Sequence, residues 1–204
     1  MSQGKTLGNN YRKASVSRER ILETAAKVLA ERGYAGTTMR AIAERAELEA
    51  GSLYYHFRSK EKLVESVLSH GLVEHAAALR LSVSSLPPDT EIREIFRRAV
   101  TVHMECLFQH GDYALASRRV LNQVDPSVRR NLVQLRDDIE RFWEHLLETA
   151  RESGALRKDI DLFLLRSFIL GALNSALEWY RPQGKSISEI ANQFSLIVTE
   201  SIFS

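Results

Sequence analysis

Gly51-Ser52-Leu53-Tyr54-Tyr55-His56-Phe57 is followed at once by Ser59-Lys60-Glu61-Lys62-Leu63. Leu53 and Phe57, four apart, fall on one side of a short helix and point inward as its anchors. Ser59 then opens a further helix with Leu63, Val64, Val67 and Leu68 as its apolar stripe. Upstream, Thr37 and Thr38 precede Met39, Ile42 and Ala43, a second short stripe, with only residues 47–50 between the two. Short helices joined by tight turns describe a helix-turn-helix unit.

The side chains that Leu53 and Phe57 leave on the other face suit a polyanionic groove. Gly51 allows close backbone approach and Ser52 offers a hydroxyl. Tyr54 and Tyr55 carry a phenol for phosphates and a ring for thymine methyls. His56 and Lys60 can neutralise phosphate charge. Thr37 and Thr38 stand at a helix N-terminus, where free N–H groups favour a phosphate.

Outward from this unit the chain reads as helices almost throughout, with 10 Gly and 4 Pro among 204 residues. Residues 1–16 read as a flexible basic tail with Lys5, Arg12 and Lys13 and no acid. Ser17 would cap the first helix, with Ile21, Leu22, Ala25, Val28 and Leu29 inside and Gly33 as its stop. Beyond Pro87-Pro88, Asp89 would cap a helix from Ile92 to Leu107. A shorter helix follows over residues 113–122. Asp125-Pro126 starts a long helix with Leu132, Leu135, Ile139, Leu146 and Leu147 on one face. Asp159 would cap the next, over residues 161–180, which Pro182 and Gly184 stop. Ser186 and Glu189 form a capping box for the last. The expectation is an all-α protein of about nine helices. It has an N-terminal helix-turn-helix domain over 17–63 and a helical ligand-binding and dimerisation domain over 64–204.

Composition narrows the function. At 44% hydrophobic the chain can bury a core. Its one cysteine, Cys106, rules out an internal disulfide and points to a reducing, intracellular, cytoplasmic setting. No run approaches about 18 uninterrupted apolar residues, so no membrane span is expected. The net charge of +2 is split: residues 1–60 hold 11 Lys+Arg against 6 Asp+Glu, net +5, and the rest nets −3. A basic front on an acidic body suggests a polyanion partner for the front alone. Gly184-Lys185-Ser186 lacks the upstream glycine of a phosphate loop, where Trp179 stands. His70 and His75, five apart, do not share a helix face, so no metal pair is expected. No nucleophile or acid–base set suggests an enzyme, and no cofactor is expected.

Residues 17–63 resemble the N-terminal domain of the TetR/AcrR family of bacterial repressors. The matching text is Ile21-Leu22-x-x-Ala25-Ala26-x-x-Leu29-Ala30-x-x-Gly33-Tyr34, then Thr37-Thr38-Met39-Arg40-x-Ile42-Ala43, then Gly51 to Phe57 with Ser59-Lys60-Glu61. The resemblance implies a homodimeric, ligand-responsive repressor on a palindromic double-stranded DNA operator. It gives DNA-facing roles to Thr38, Arg40, Gly51, Ser52, Tyr54, Tyr55, His56 and Lys60, with Thr37 as the helix cap. The family pattern places a glycine, a small polar cap and often a basic residue in the turn, where this chain has Glu47, Glu49 and Ala50. That departure reads as an altered operator preference. The alternative is a ligand-binding or interaction protein of the same fold with DNA binding weakened or lost.

In the C-terminal part, Phe96, His103, Met104, Phe108, Phe142, Trp143 and Phe168 are candidates to line an effector pocket, with core packing as the competing role. Arg166, alone in an apolar run, must meet an acid or an anion. Trp179-Tyr180-Arg181-Pro182-x-Gly184 is similar to the C-terminal ends of repressors of fatty-acid and sterol catabolism, whose effectors are acyl-CoA thioesters. That similarity would set Arg166, Trp179 and Arg181 against the CoA portion; a small apolar effector is the broader expectation. Leu165, Ile169, Ala172, Leu173, Ala176 and Leu177, with Ile190, Phe194 and Ile197, are the expected seam of a four-helix dimer interface. Effector binding would act on the reader through the helix carrying Glu61 to His70.

Overall fold

The computed structural model describes residues 3–181 and 183–203, with side chains from Arg18 onward. The side chains of Lys5, Arg12 and Lys13 and the expected stop at Pro182 lie outside the described residues. Among the described residues there are nine α-helices: α1 (Gln3–Arg32), α2 (Met39–Arg45), α3 (Ala50–His56), α4 (Lys60–Ser84), α5 (Ile92–Gln109), α6 (Gly111–Val120), α7 (Pro126–Glu152), α8 (Leu162–Trp179) and α9 (Ile187–Ile202). One 3-10 turn covers Leu121–Gln123, and a lone antiparallel bridge joins Leu156 to Phe203. The helix expected to start at Ser17 runs back to Gln3 instead. No proline precedes Pro87, so nothing in residues 3–16 forces the backbone out of the helix.

The caps follow elementary chemistry, with three reassignments. Thr38, not Thr37, caps α2: its Oγ1 accepts from Ala41 N at 3.1 Å. Thr37 is buried and donates to the Gly33 carbonyl at 2.7 Å. Asp161, not Asp159, caps α8, accepting from Leu164 N at 2.8 Å, while Asp159 pairs with Arg157. Glu91, not Asp89, precedes α5. Asp125 accepts from Ser127 N at 2.7 Å at the start of α7, as its place before Pro126 predicts. The Ser186–Glu189 capping box on α9 is complete in both directions. Gly33 ends α1 at φ 69°, a backbone state that L side chains resist.

The chain divides into two compact units, Met1–Gly71 with Asp112–Leu132, and Leu72–Gly111 with Val133–Ser204. The boundary expected at residue 63 thus falls at Gly71, and α6 with the first turns of α7 belongs to the N-terminal unit. Packing explains this. The Tyr113 ring lies 5.1 Å from that of His70, and a Cβ on Gly71 would sit 2.9 Å from Tyr113 Cβ. Arg119 donates to the Ala30 carbonyl at 2.8 Å. Ile21, Leu22, Leu29, Ile42, Leu53, Leu63 and Leu68 fill this unit's core. In the second unit α5 packs most extensively on α9 and next on α8. Phe96, Met104, Trp143, Leu147, Ile169 and Leu173 are buried there. By length and composition α8 is long and apolar enough to cross a membrane, 18 residues at mean hydropathy 1.2, although Arg166, Asn174 and Glu178 interrupt its apolar run.

Candidate DNA-reading helix and effector domain

The candidate reader helix is α3. Leu53 is fully buried and Phe57, just past its end, nearly so, which fixes the helix by its inner face. The outer face then has no choice but solvent: Tyr54 is 53% exposed and Tyr55 81%. Two large rings left in water are informative, because burying either would be favourable. Gly51 is exposed, and a Cβ there would meet nothing within 4 Å. The fold does not require glycine at that position, whereas close approach of an external surface does. Ser52 and His56 are half-buried, the His56 ring lying edge-on to Tyr55 at 5.2 Å.

Three of the expected DNA contacts carry internal bonds. Lys60 donates to the Tyr34 carbonyl at 2.5 Å and lies 4.0 Å over the Tyr34 ring, which ties the start of α4 to the turn after α1. Arg40 pairs with Glu44 at 2.8 Å, both exposed. Thr38 spends its hydroxyl on the α2 cap, although it stays exposed at that N-terminus. In the turn before α3, Glu47 sits at φ 53°, a strained backbone state for a residue with a side chain. Its carboxylate accepts from Arg20 at 2.9 Å. Glu49 is the residue before α3 and makes no side-chain capping bond.

In the second unit the expected pocket residues separate. Phe96, Met104 and Trp143 are fully buried in the core, the Phe96 and Trp143 rings edge-to-face at 5.4 Å. Phe108 and Phe142 are partly buried, Phe108 lying 4.6 Å from Tyr180. Arg166 meets acids rather than a free anion. Its side chain is 13% exposed, 3.2 Å from Glu144 and 3.7 Å from Glu140. Trp179 stacks on Phe194 at 6.1 Å and donates to Ser175 at 3.3 Å. Arg181 donates to the carbonyls of Glu178 and Tyr180.

Four polar side chains meet here, His75, His103 and Trp143 buried and Asn174 at the exposed edge. Trp143 Nε1 donates to His103 Nδ1 at 3.2 Å, so the His103 proton is on Nε2, which lies 3.2 Å from Asn174 Oδ1 and donates to it. The His75 ring stands edge-on to His103 at 4.3 Å. Burial drives both imidazoles to the neutral form, His103 down to about 4 and His75 to about 2, the latter also opposed by the neighbouring His103 and His110. His75 and Asn174 were not among the expected site residues. A histidine in a helix with apolar neighbours carries no local sign of what the other helices bring to it.

Five residues of the expected dimer seam, Leu165, Ile169, Leu173, Ala176 and Ile190, are buried within this subunit's own core, which leaves little of them for a partner. Ala172, Leu177 and Phe194 are half-buried, and only Ile197 is well exposed. The large apolar side chains that α8 and α9 present to solvent are Phe163, Leu164, Phe168, Trp179, Leu196 and Ile197. The signal was available: α8 is apolar on two stripes, 165/169/173/176 and 164/168, and one of them has no internal partner.

A short helix gripped from inside, with bare glycine and two solvated tyrosines outside, defines a helix-turn-helix DNA-binding protein carrying a separate helical domain. Residues 21–67 match the family described as bacterial regulatory proteins, tetR family, and residues 89–202 match the tetracyclin repressor-like C-terminal domain. The chain belongs to the tetR family of bacterial transcriptional regulators. It is 32% identical over 189 residues to the HTH-type transcriptional repressor KstR2 of Rhodococcus jostii, covering 92% of this chain and 91% of that one. The structure of the ketosteroid transcriptional regulator KstR2 of Mycobacterium tuberculosis superposes with TM-score 0.79 at 28% identity, covering 92% and 95%. AibR, solved in complex with isovaleryl coenzyme A and operator DNA, shares the fold at TM-score 0.73 and 22% identity, covering 92% and 98%.

Proposed function

We propose that the protein is a homodimeric repressor that binds a two-fold operator through α3 and is released by a small apolar effector held in its second unit. The observation that carries the DNA role is the outer face of α3: Gly51, Tyr54 and Tyr55 are exposed, and the edge-on contact of Tyr55 with the adjacent His56 leaves its ring in solvent. The exposed apolar stripe of α8 and α9 supports self-association, since Leu164, Phe168, Leu196 and Ile197 in water favour burial against a second copy. A two-fold pair of readers would take half-sites about 34–36 Å, or a multiple, apart. The helices α4 and α7 both run through the two units, and α4 is the proposed route by which effector binding reaches the reader.

For the effector, an acyl-CoA thioester is favoured by the likeness to AibR, solved with isovaleryl coenzyme A, and to regulators of ketosteroid and fatty acid metabolism. Of the three residues expected against the CoA portion, Trp179 and Arg181 are exposed, whereas Arg166 is held by Glu140 and Glu144. The CoA contact is therefore assigned to Trp179 and Arg181 only. Gel shift of the full chain on its own upstream DNA, at stated salt, tests the DNA role with Tyr54→Ala/Tyr55→Ala as the variant. Loss of the shift is expected, and an intact shift overturns the assignment of α3. Thermal shift with octanoyl-CoA, free CoA and octanoate tests the effector class, and no stabilisation by the thioester removes the acyl-CoA reading.

A further inference from the structure

In the second unit, a buried ring nitrogen lies unpartnered beside a chain of hydrogen bonds that runs out to the exposed Asn174. His103, Trp143 and Asn174, from α5, α7 and α8, satisfy one another, with the His103 tautomer fixed by Trp143. His75, from α4, is only 8% exposed, and its Nε2 is buried with no protein hydrogen-bond partner. A core histidine with an unmatched ring nitrogen destabilises the fold relative to a phenylalanine, so its retention has to be explained by something other than packing. A ligand oxygen supplies what the protein does not.

We propose that His75 Nε2 is the polar anchor for the effector and that the group it recognises is an uncharged oxygen, a carbonyl or hydroxyl, on the apolar portion of that molecule. This rests on the effector-responsive reading above and names the chemistry of that site. The uncharged class follows from the surroundings. The ring lies among apolar core side chains and against His103, with His110 adding further positive potential when protonated, so the imidazole is held neutral. A neutral imidazole offers one donor and one acceptor but no countercharge for a carboxylate. His103 cannot take this role, because both its nitrogens are engaged. The same closure rules out a metal bridged between the two histidines without breaking the bonds to Trp143 and Asn174.

The test uses the full chain and four ten-carbon probes: decane, 2-decanone, 1-decanol and decanoate. The wild type is expected to bind the ketone or the alcohol about tenfold more tightly than decane, the size of one buried neutral hydrogen bond. His75→Phe is expected to erase that preference while leaving decane binding in place, and to raise the melting temperature without probe. His75→Gln, which keeps a polar amide, is expected to retain part of the preference. In spectra of 15N-histidine-labelled protein, 2-decanone should shift the His75 Nε2 resonance and decane should not. Three results overturn the proposal: a ketone-to-decane ratio unchanged in His75→Phe, strongest binding of decanoate, or no binding of any probe by the wild type. None of these readouts involves DNA. Failure of the anchor is thus distinguishable from failure of the repressor reading, which the gel shift decides.

Discussion

Glu47 shows how one residue carries opposing terms. Its φ of 53° costs a non-glycine side chain about 1 kcal/mol. Its ion pair with Arg20, exposed on both sides, returns about 0–1 kcal/mol. Glu47→Gly should therefore change the melting temperature little. It also removes a negative charge from the turn before the reader and frees the Arg20 guanidinium. Operator affinity should rise, and the slope of log affinity against log salt should steepen by about 1. Filter binding at several salt concentrations checks this, and an unchanged slope would place Arg20 away from the phosphates. At the neighbouring cap, Thr38→Ala should cost about 1 kcal/mol of stability in chemical denaturation, because its hydroxyl holds the α2 N-terminus. The identity of the cap residue was misread from the sequence, since Thr37 and Thr38 offer the same hydroxyl. Only the backbone decides which one faces the helix and which turns inward to the Gly33 carbonyl.

At the scale of elements, inner and outer faces of one helix predict opposite phenotypes. On α3, Leu53→Ala should destabilise the N-terminal unit by about 2–5 kcal/mol. Tyr54→Ala/Tyr55→Ala should leave stability unchanged and abolish the operator complex. On α8 the same division separates subunit from dimer. Ile169→Ala should lower the melting temperature, while Phe168→Glu should yield a folded monomer by sedimentation that no longer shifts operator DNA. The apolar pattern of α8 was plain in the sequence, but with two stripes available the buried one drew the dimer assignment. Periodicity identifies an apolar face; it does not say whether the partner is in the same chain.

For the whole molecule, the buried histidines set an acid limit. In the unfolded chain each titrates near 6.5; in the fold, burial holds His103 down to about 4 and His75 to about 2. Between 6.5 and 4 the unfolded state binds protons that the folded state refuses, so stability falls as pH falls. Each histidine contributes a slope of up to about 1.4 kcal/mol per pH unit, and above 6.5 neither contributes. Urea midpoints at pH 7, 6 and 5 should drop steeply in the wild type and less so in His75→Phe. Equal slopes would mean that His75 is protonated in the folded protein.

The local chemistry of the chain was sufficient for the helices, most of their stops, the capping box at Ser186 and Glu189, and the short helix at Gly51–Phe57 with its inward Leu53. These depend on residues within a turn or two of one another. What lay beyond reach depends on contacts between distant segments. Only the packed structure put α6 with the N-terminal unit, engaged Lys60 with Tyr34, gave Arg166 its glutamates and turned Phe168 outward while Ile169 went in. It also brought His75, His103, Trp143 and Asn174 together from four helices. Hydrogen bonds and burial across dozens of residues are properties of the folded surface, and no spacing along the chain encodes them.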